Sequence, residues 1–583
     1  MLVLLLTYFY PYLFIILCNV FWITKLYGKG ANISLTISIL DIGLFLFNGI
    51  LIASVLFAGE RLSVGANLYA IFVLDLVYLS FRLALSVAGM RNIHQLLVFL
   101  VSLGLIESVI GLLQFNGLIR SINPLFKVSG SFGNPAVYAN FLITILPISL
   151  LYSFSYRKET GIPFLFFRLT SLLIVFNLLA IVARASWIAA IVSIVMLAYF
   201  NNAWFKEMIA KGLLIFSRSF KKGALISLCL VVSVVMLLAY MLFIKKDSTI
   251  GRAFIFKNSI QMLKNKPLTG IGFDQFKVKY NDYQETYFIH NKEDHYYEKV
   301  ASDSMVAFNE YLQIGIELGL IGILSFCGLI FVLIKRYVYN KDSEIVFNTI
   351  FICVFSILIL ALFSYPFRMT ATLVNVILFL AILSGHDPRP VYRILLQKIP
   401  GKAVFVSMGL LGITVISYGF HYMSAVVKWQ DASLRVSRGN IDSAGAEYAT
   451  VYPVLMDDGL FLYDYGSYLC HNKKYYSALP VLENAGILFN YYDVYVRLGI
   501  CYENTGQPSK AETAYLKACY MVPNRFYPRY KLMSFYLKNN KSDSAGYWAR
   551  KIMLMEIKVP SPVINEIKKK ADSTLQSIPI TIN

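Results

Sequence analysis

The chain has 583 residues, 57% of them hydrophobic and 15% charged, with a formal net charge of +20 and a mean hydropathy of +0.62. It is too apolar for a soluble globular protein and reads as a polytopic membrane protein with an appended soluble part. The positive charge does not call for nucleic acid, because membrane proteins collect Lys and Arg in cytoplasmic loops and a phosphate-rich lipid substrate also favours it. The seven cysteines and six histidines form no CxxC or metal-ligand spacing, so no metal, no cofactor and no disulfide framework is expected.

A spanning helix needs roughly 20 apolar residues. About twelve such runs follow in order: 2–23, 33–58, 67–87, 93–115, 135–156, 165–183, 185–203, 223–244, 309–335, 345–364, 369–385 and 402–423. The connection 204–222 holds Lys206, Lys211, Arg218, Lys221 and Lys222 against Glu207, and 386–402 holds Arg389, Arg393, Lys398 and Lys402. The positive-inside rule makes both cytoplasmic, together with Lys25, Lys29, Arg157, Lys158, Arg336 and Lys341. The same count puts Arg184, Arg368, the stretch 116–134, the loop 245–308 and everything after 423 on the outer face.

The outer loop 245–308 is too long for a mere connector. Its first part, 245–279, has eight Lys/Arg and two acids, and 280–307 has two Lys and six acids. A basic half beside an acidic half suits a site that holds a polyanion and deprotonates a nearby hydroxyl. The spacing predicts an amphipathic helix over 252–264, ended by Pro267 and followed by the turn Gly270-Ile-Gly272. Phe254, Ile255, Ile260 and Met262–Leu263 are expected at the membrane interface. Arg252 falls at the predicted helix start, where a cation opposes the dipole, and this points to function. The loop runs into 307-AFNEYLQIGIELGLIG-322. Glu310 suits a helix start, but Glu317 lies two turns deeper, and an ionisable residue within a span costs about 3 kcal/mol and usually faces a cavity or partner.

Four stretches together resemble the O-antigen ligase/polymerase superfamily, bacterial membrane glycosyltransferases that use polyprenyl-diphosphate-linked glycans. They are 129-SGSFGNPAVYANFL-142, 183-ARASWIAA-190, 252-RAFIFKNSIQMLKNKPLTGIGFDQF-276 and 308-FNEYLQIGIELGLIG-322. The resemblance implies an inner-membrane enzyme that moves a glycan from undecaprenyl diphosphate to a lipid A core, glycan or protein acceptor at the periplasmic face. Inversion without a divalent metal is expected. A polymerase of the same superfamily is the alternative, and a lipid-linked glycan transporter the non-enzymatic one. Cleavage of a glycosyl-diphosphate bond builds charge on the leaving oxygens, which an arginine fork stabilises. Arg184 and Arg252 are therefore expected to grip the diphosphate. Asn134, Lys257, Gly270, Gly272, Asn309, Glu317 and Arg368 are the other expected substrate contacts. The family carries His, its proposed base, where this chain has Phe308. Asp303 is the first candidate to replace it and Glu310 the second, ahead of His290 and His295.

After 424 the composition changes. Leu498, Gly499, Tyr502, Ala511, Tyr515 and Ala518 recur 34 residues later as Leu532, Met533, Tyr536, Ala545, Ala549 and Ile552, and 33 earlier as Tyr465, Gly466, Leu469, Ala478, Leu482 and Ala485. The pattern resembles tetratricopeptide repeats, which bind peptides or protein partners. The expected fold class is all-α: a polytopic membrane helical bundle of about twelve spans with a large periplasmic loop and a C-terminal α-solenoid. The expected division is 1–423, transmembrane and catalytic, and 424–583, periplasmic repeats.

Overall fold

The computed structural model of the chain describes residues 34–57, 64–155, 162–181, 183–201, 246–292, 294–339, 344–395, 401–439 and 444–577. The expected spans 2–23 and 223–244 and the basic connection 204–222 lie outside the described residues, apart from isolated positions.

The apolar runs form helices α1 (Ile39–Phe57), α2 (Val64–Val87), α3 (Met90–Phe115), α4 (Pro135–Ser155), α5 (Ile162–Ile181) and α6 (Arg184–Asn201). The loop adds α7 (Lys246–Asn265), α8 (Phe276–His290) and the short α9 (His295–Glu298). There follow α10 (Glu310–Tyr339), α11 (Ile345–Ala361), α12 (Thr370–Gly385) and α13 (Gly401–Ser437). Among the described residues, seven helices are long and apolar enough to cross a membrane, and three shorter apolar ones accompany them: Arg184–Phe200, Ile345–Ala361 and Thr370–Gly385. The α4 helix is buried along most of its length, packed by α3, α5, α6, α11 and α12. Within lipid there is no hydrophobic gain in pairing helices, so small polar side chains help to bind them. Asn375 donates to Thr144 Oγ1 (2.8 Å) and Ser193 and Ser356 share a 2.6 Å hydrogen bond.

The contacts fall on two faces. On one, strand β1 (Ser34–Ile37) pairs antiparallel with β2 (Tyr392–Leu395), Ser34 opposite Leu395. Beneath it Arg82 forms a buried ion pair with Asp41 at 2.9 Å. Strand β2 lies in the basic connection 386–402, whereas β1 takes the first residues of the expected span 33–58. On the other face Phe273 N donates to Ser54 Oγ (2.9 Å), and Gln114 holds Ser129 and Gly130 through their backbone. This second face also carries Arg184, the loop and the turn 364–369.

The α10 helix is broken at Gly319, whose φ of 66° and ψ of −160° are open only to glycine. The break frees backbone groups that cannot be left bare at membrane depth. Residues 267–272 satisfy them: Ile271 N donates to Ile316 O (2.8 Å), Gly272 N to Glu317 O (3.0 Å), and Leu320 N to Pro267 O (2.8 Å). The approach is so close that a Cβ on Gly270 would lie 2.3 Å from the Glu317 carbonyl, and one on Gly319 2.2 Å from Leu268 O. The motif glycines serve this backbone docking.

The loop packs on itself. Helix α7 begins at Lys246, six residues before Arg252, so Arg252 is not at its N-terminus and the expected dipole conflict does not exist. Phe254, Ile255 and Met262 are buried in the loop's own clusters with Phe276, Tyr280 and Phe288, not laid on a membrane interface; Ile260 alone of the apolar set stays exposed.

Helix α13 runs unbroken through 423 into the C-terminal part. There α14 (Ala444–Leu455) and α15 (Gly459–His471) are followed by α16 (Tyr475–Leu488), α17 (Tyr492–Asn504), α18 (Pro508–Met521), α19 (Phe526–Lys538), α20 (Ser542–Leu554) and α21 (Pro562–Ser577). Successive helices pack as pairs, α15 on α16, α17 on α18 and α19 on α20. The recurring small positions lie where paired helices meet: a Cβ on Gly466 would touch the Leu482 side chain at 2.6 Å and one on Gly499 the Tyr515 ring at 2.5 Å.

Gly319→Ala should lower the unfolding temperature in detergent and open the loop to protease, since the backbone conformation alone costs roughly 1–3 kcal/mol for a side chain. Gly328→Ala, on the same helix with open space around it, should do neither. Equal melting of the two variants would remove the docking role.

Candidate functional site

Arg184 opens α6 and Arg252 stands in the second turn of α7. The Arg252 guanidinium donates to Phe363 O (3.0 Å) and lies over the Phe308 ring, 4.8 Å from its centroid. Arg184 Nη1 donates to Thr249 Oγ1 (3.2 Å) on the same α7. Burial and the neighbouring Arg184 charge both pull the Arg252 pKa below its ordinary value. The structure therefore brings two expected cations together, close enough to repel. An anion between them would relieve that repulsion.

Two aromatic residues frame the pair. Phe308 has a φ of 53°, a region costly for a bulky side chain and common at functional sites. Tyr365 meets its ring edge-on at 5.5 Å. The Tyr365 hydroxyl bonds the Asn134 side chain, and burial pushes its pKa up against the opposing pull of Asn134 and Arg252. Asn134 also caps α4 by accepting from Ala136 N (2.8 Å). Tyr365 was not among the residues singled out from sequence; its signal was its place beside Arg368 in the turn 364-SYPFRMT-370.

Glu310, Glu317 and Arg368 form a second cluster. Arg368 Nη2 bonds Glu317 Oε2, and its Nη1 lies 3.4 Å from Asp274 Oδ1. Glu317, 1% exposed, also accepts from Gln313 Nε2 (3.1 Å). Glu310 Oε1 accepts from Phe367 N (2.9 Å). Arg368 is thus charge-compensated by carboxylates, unlike Arg252. These residues close one end of an apolar cavity of about 240 Å³ between α1, α2, α10, α11 and α12, which also holds the hydrogen-bonded pair Asn48–Asp75. Asn309 caps α10 by accepting from Leu312 N (2.9 Å).

Lys257 and Asp303 lie apart from these clusters. Lys257 donates to Tyr287 OH (3.0 Å) and sits over the Tyr287 and Tyr297 rings. Asp303 accepts from Asn281 Nδ2 (2.9 Å) and Tyr492 N (3.4 Å), in the contact between the loop and the C-terminal helices. The loop's acidic half lies along that contact: Lys517 pairs with Asp282 (2.9 Å) and Glu285 (3.9 Å), and Arg529 with Glu298. Asn524 donates to Ala301 O (2.7 Å), and Asn490 Nδ2 to Val278 O (2.7 Å). These acids bind the C-terminal helices; the sequence expectation placed them beside a polyanion. Among the described residues no group of His, Cys, Asp and Glu could hold a metal ion.

Burial raises the Asp303 pKa to about 6, against the lowering pull of Tyr492 N and Arg525, and burial raises that of Glu285 to about 7 despite Lys517. The docked state therefore binds protons more tightly than the undocked one. Docking should strengthen as pH falls from 8 through 7 and 6, and level off near the ordinary carboxylate value of about 4. Hydrogen exchange of 276–303, corrected for intrinsic rates, should show rising protection on acidification, and Asp303→Asn with Glu285→Gln should flatten the trend. Protection that falls instead would reverse the sign of the linkage.

Residues 169–327 match the family model for O-Antigen ligase. The match takes in Arg184, Arg252, the loop and the broken helix up to 327. No curated protein matches the chain. A solved structure described as "MamA RS-1 ArsTM double mutant" is similar at 18% identity, covering 31% of this chain and 96% of that one, with a TM-score of 0.22, too low to support an inference. The match covers three of the four stretches that carry the resemblance in sequence, and residues 169–327 support the likeness to the O-antigen ligase superfamily.

Proposed function

We propose that the chain is a membrane glycosyltransferase that moves a glycan from undecaprenyl diphosphate to an acceptor hydroxyl at the loop face, and that this face is periplasmic in a bacterial inner membrane. The convergence of Arg184 and Arg252 carries the reading. Their forks take the diphosphate oxygens. The bond between the anomeric carbon and the diphosphate oxygen breaks with its electron pair on the leaving group. The acceptor oxygen enters from the opposite side, so the anomeric configuration inverts. Arginine charge preorganised in a partly desolvated site stabilises the leaving group more than water does.

The acceptor's proton needs a place to go. Phe308 cannot take it. Asp303 is held by the C-terminal helices, which leaves Glu310, two residues beyond Phe308 and buried beside the 366–368 turn, as the favoured carboxylate. The diphosphate's partners are Arg184 and Arg252, with Asn134 and Tyr365 beside them. Arg368 and Glu317 set the turn and α10, and Lys257 steadies the loop. The C-terminal helices are read as tetratricopeptide-like repeats with one edge occupied by the loop of the same chain. A lipid A core, a protein or a second glycan fits this chemistry as acceptor. The last would make the enzyme a polymerase.

In membranes supplied with a radiolabelled polyprenyl-diphosphate glycan, Arg184→Ala and Arg252→Ala should each lower transfer roughly 100- to 1000-fold at equal protein levels, the range for losing one oxyanion donor. Arg252→Lys should recover only part, because it keeps charge without the fork. The labelled product, whether lipid, protein or longer glycan, separates ligase from polymerase. Full transfer in both alanine variants would sink the reading.

A further inference from the structure

The first helices of successive C-terminal pairs share a face that the loop contact does not use up. From the loop outward it begins at Tyr492, whose amide holds Asp303 and whose ring lies 5.4 Å beneath the exposed Arg525 guanidinium. Tyr491 packs tilted beside Tyr492 at 4.8 Å and meets Tyr463 edge-on at 5.7 Å. Tyr463 donates to Asp493 (2.7 Å), which also accepts from Arg497 Nε (3.1 Å). Arg497 is in turn an electrostatic neighbour of Tyr527, and Lys531 lies over the Tyr527 ring at 5.4 Å. The result is a stripe of half-buried tyrosines flanked by cations, and its carboxylates are already engaged, Asp493 by Tyr463 and Arg497 and Asp303 by Asn281 and the Tyr492 amide.

We propose that this stripe binds an anionic glycan chain, an inference that rests on the glycosyltransferase reading above. Half-buried tyrosines are held rigidly, present one ring face and an outward hydroxyl, and lose little entropy on binding. The apolar face of a pyranose stacks on such a ring while its hydroxyls take the polar atoms alongside. Arg525 and Lys531 supply the charge complement for the carboxylates of acidic sugars, while Arg497 is held by Asp493. The stripe also starts at Asp303, on the loop that carries Arg252, so one loop joins the stripe to the proposed site of transfer. A peptide groove would want a patterned set of pockets for side chains, whereas a row of similar rings suits a repeating polymer.

The test uses the full chain in lipid nanodiscs and the anisotropy of three fluorescent probes: an oligogalacturonate, a neutral maltohexaose and an acidic peptide of similar charge. The oligogalacturonate should bind most tightly, and less so at high salt. Tyr527→Ala and Arg525→Ala should each weaken it about tenfold, Tyr527→Phe should keep most of the affinity, and unchanged melting of these variants excludes misfolding. Arg184→Ala should bind as wild type. Failure of both oligosaccharides to bind, or equal binding by wild type and Tyr527→Ala, overturns the proposal. Tighter binding of the peptide with the same residue dependence overturns it in favour of a protein site. Transfer without oligosaccharide binding defeats this inference alone. Oligosaccharide binding by a chain that transfers nothing leaves the stripe standing and defeats the glycosyltransferase reading.

Discussion

The interruption of α10 at Gly319 is the constraint on which the loop face depends. A continuous helix would keep the carbonyls of Ile316 and Glu317 for itself. The break releases them to the amides of Ile271 and Gly272, and the loop supplies Pro267 O for Leu320 N in return. Backbone pairing of this kind fixes position and orientation together, since displacement of the loop would strip several buried hydrogen bonds at once. It also sets the chemistry around it. Glu317 lies in one paired segment and Asp274 two residues beyond the other, and both reach Arg368. The turn that carries Arg368 carries Tyr365 three residues earlier, and Phe363 O, the acceptor for Arg252, two before that. One backbone joint therefore places both charge clusters.

The two clusters differ in kind. Arg368 is paired with the carboxylates of Glu317 and Asp274. Removing one partner there would strand a buried charge, which is the costly way to break an ion pair. Arg252 has a carbonyl, an aromatic ring and a like charge for neighbours. A like charge close by is unfavourable for a partly buried cation, and an anion placed between the two would offset it; this contrast is what the proposed diphosphate site rests on. The same residue type on one face of one protein thus stands in two different electrostatic settings.

That difference is what the sequence could not show. Apolar runs are read reliably because a membrane helix must satisfy its backbone internally, and ten of the expected runs coincide with helices among the described residues. The arginines at 184 and 252, the carboxylates at 310 and 317 and the glycine motif were all visible as departures from local expectation. Their partners were not, because every decisive contact joins residues far apart in the chain, such as Arg368 to Glu317 and Asp274. The dipole argument for Arg252 failed since the helix begins at Lys246, six residues earlier than its apolar periodicity signalled. The acidic half of the loop was misassigned for a related reason. Charge asymmetry says that a partner exists, not whether it is a ligand or another part of the same chain.

That partner, the C-terminal helices, bears on why the two parts are joined covalently. Lys517, Asn524 and Arg529 meet the loop through side chains that a separate protein would have to order on each encounter, at roughly 0.5–1.5 kcal/mol apiece, besides the cost of association itself. Tethering removes the association term. The tether is α13, which leaves the membrane bundle and enters the C-terminal part as one helix, so it limits orientation as well as distance. A flexible linker would have raised local concentration without fixing which edge meets the loop. With the edge fixed, the first-helix face beside it is turned consistently relative to the arginine pair. That consistency is the condition for any ligand held there to reach the same end of the site each time.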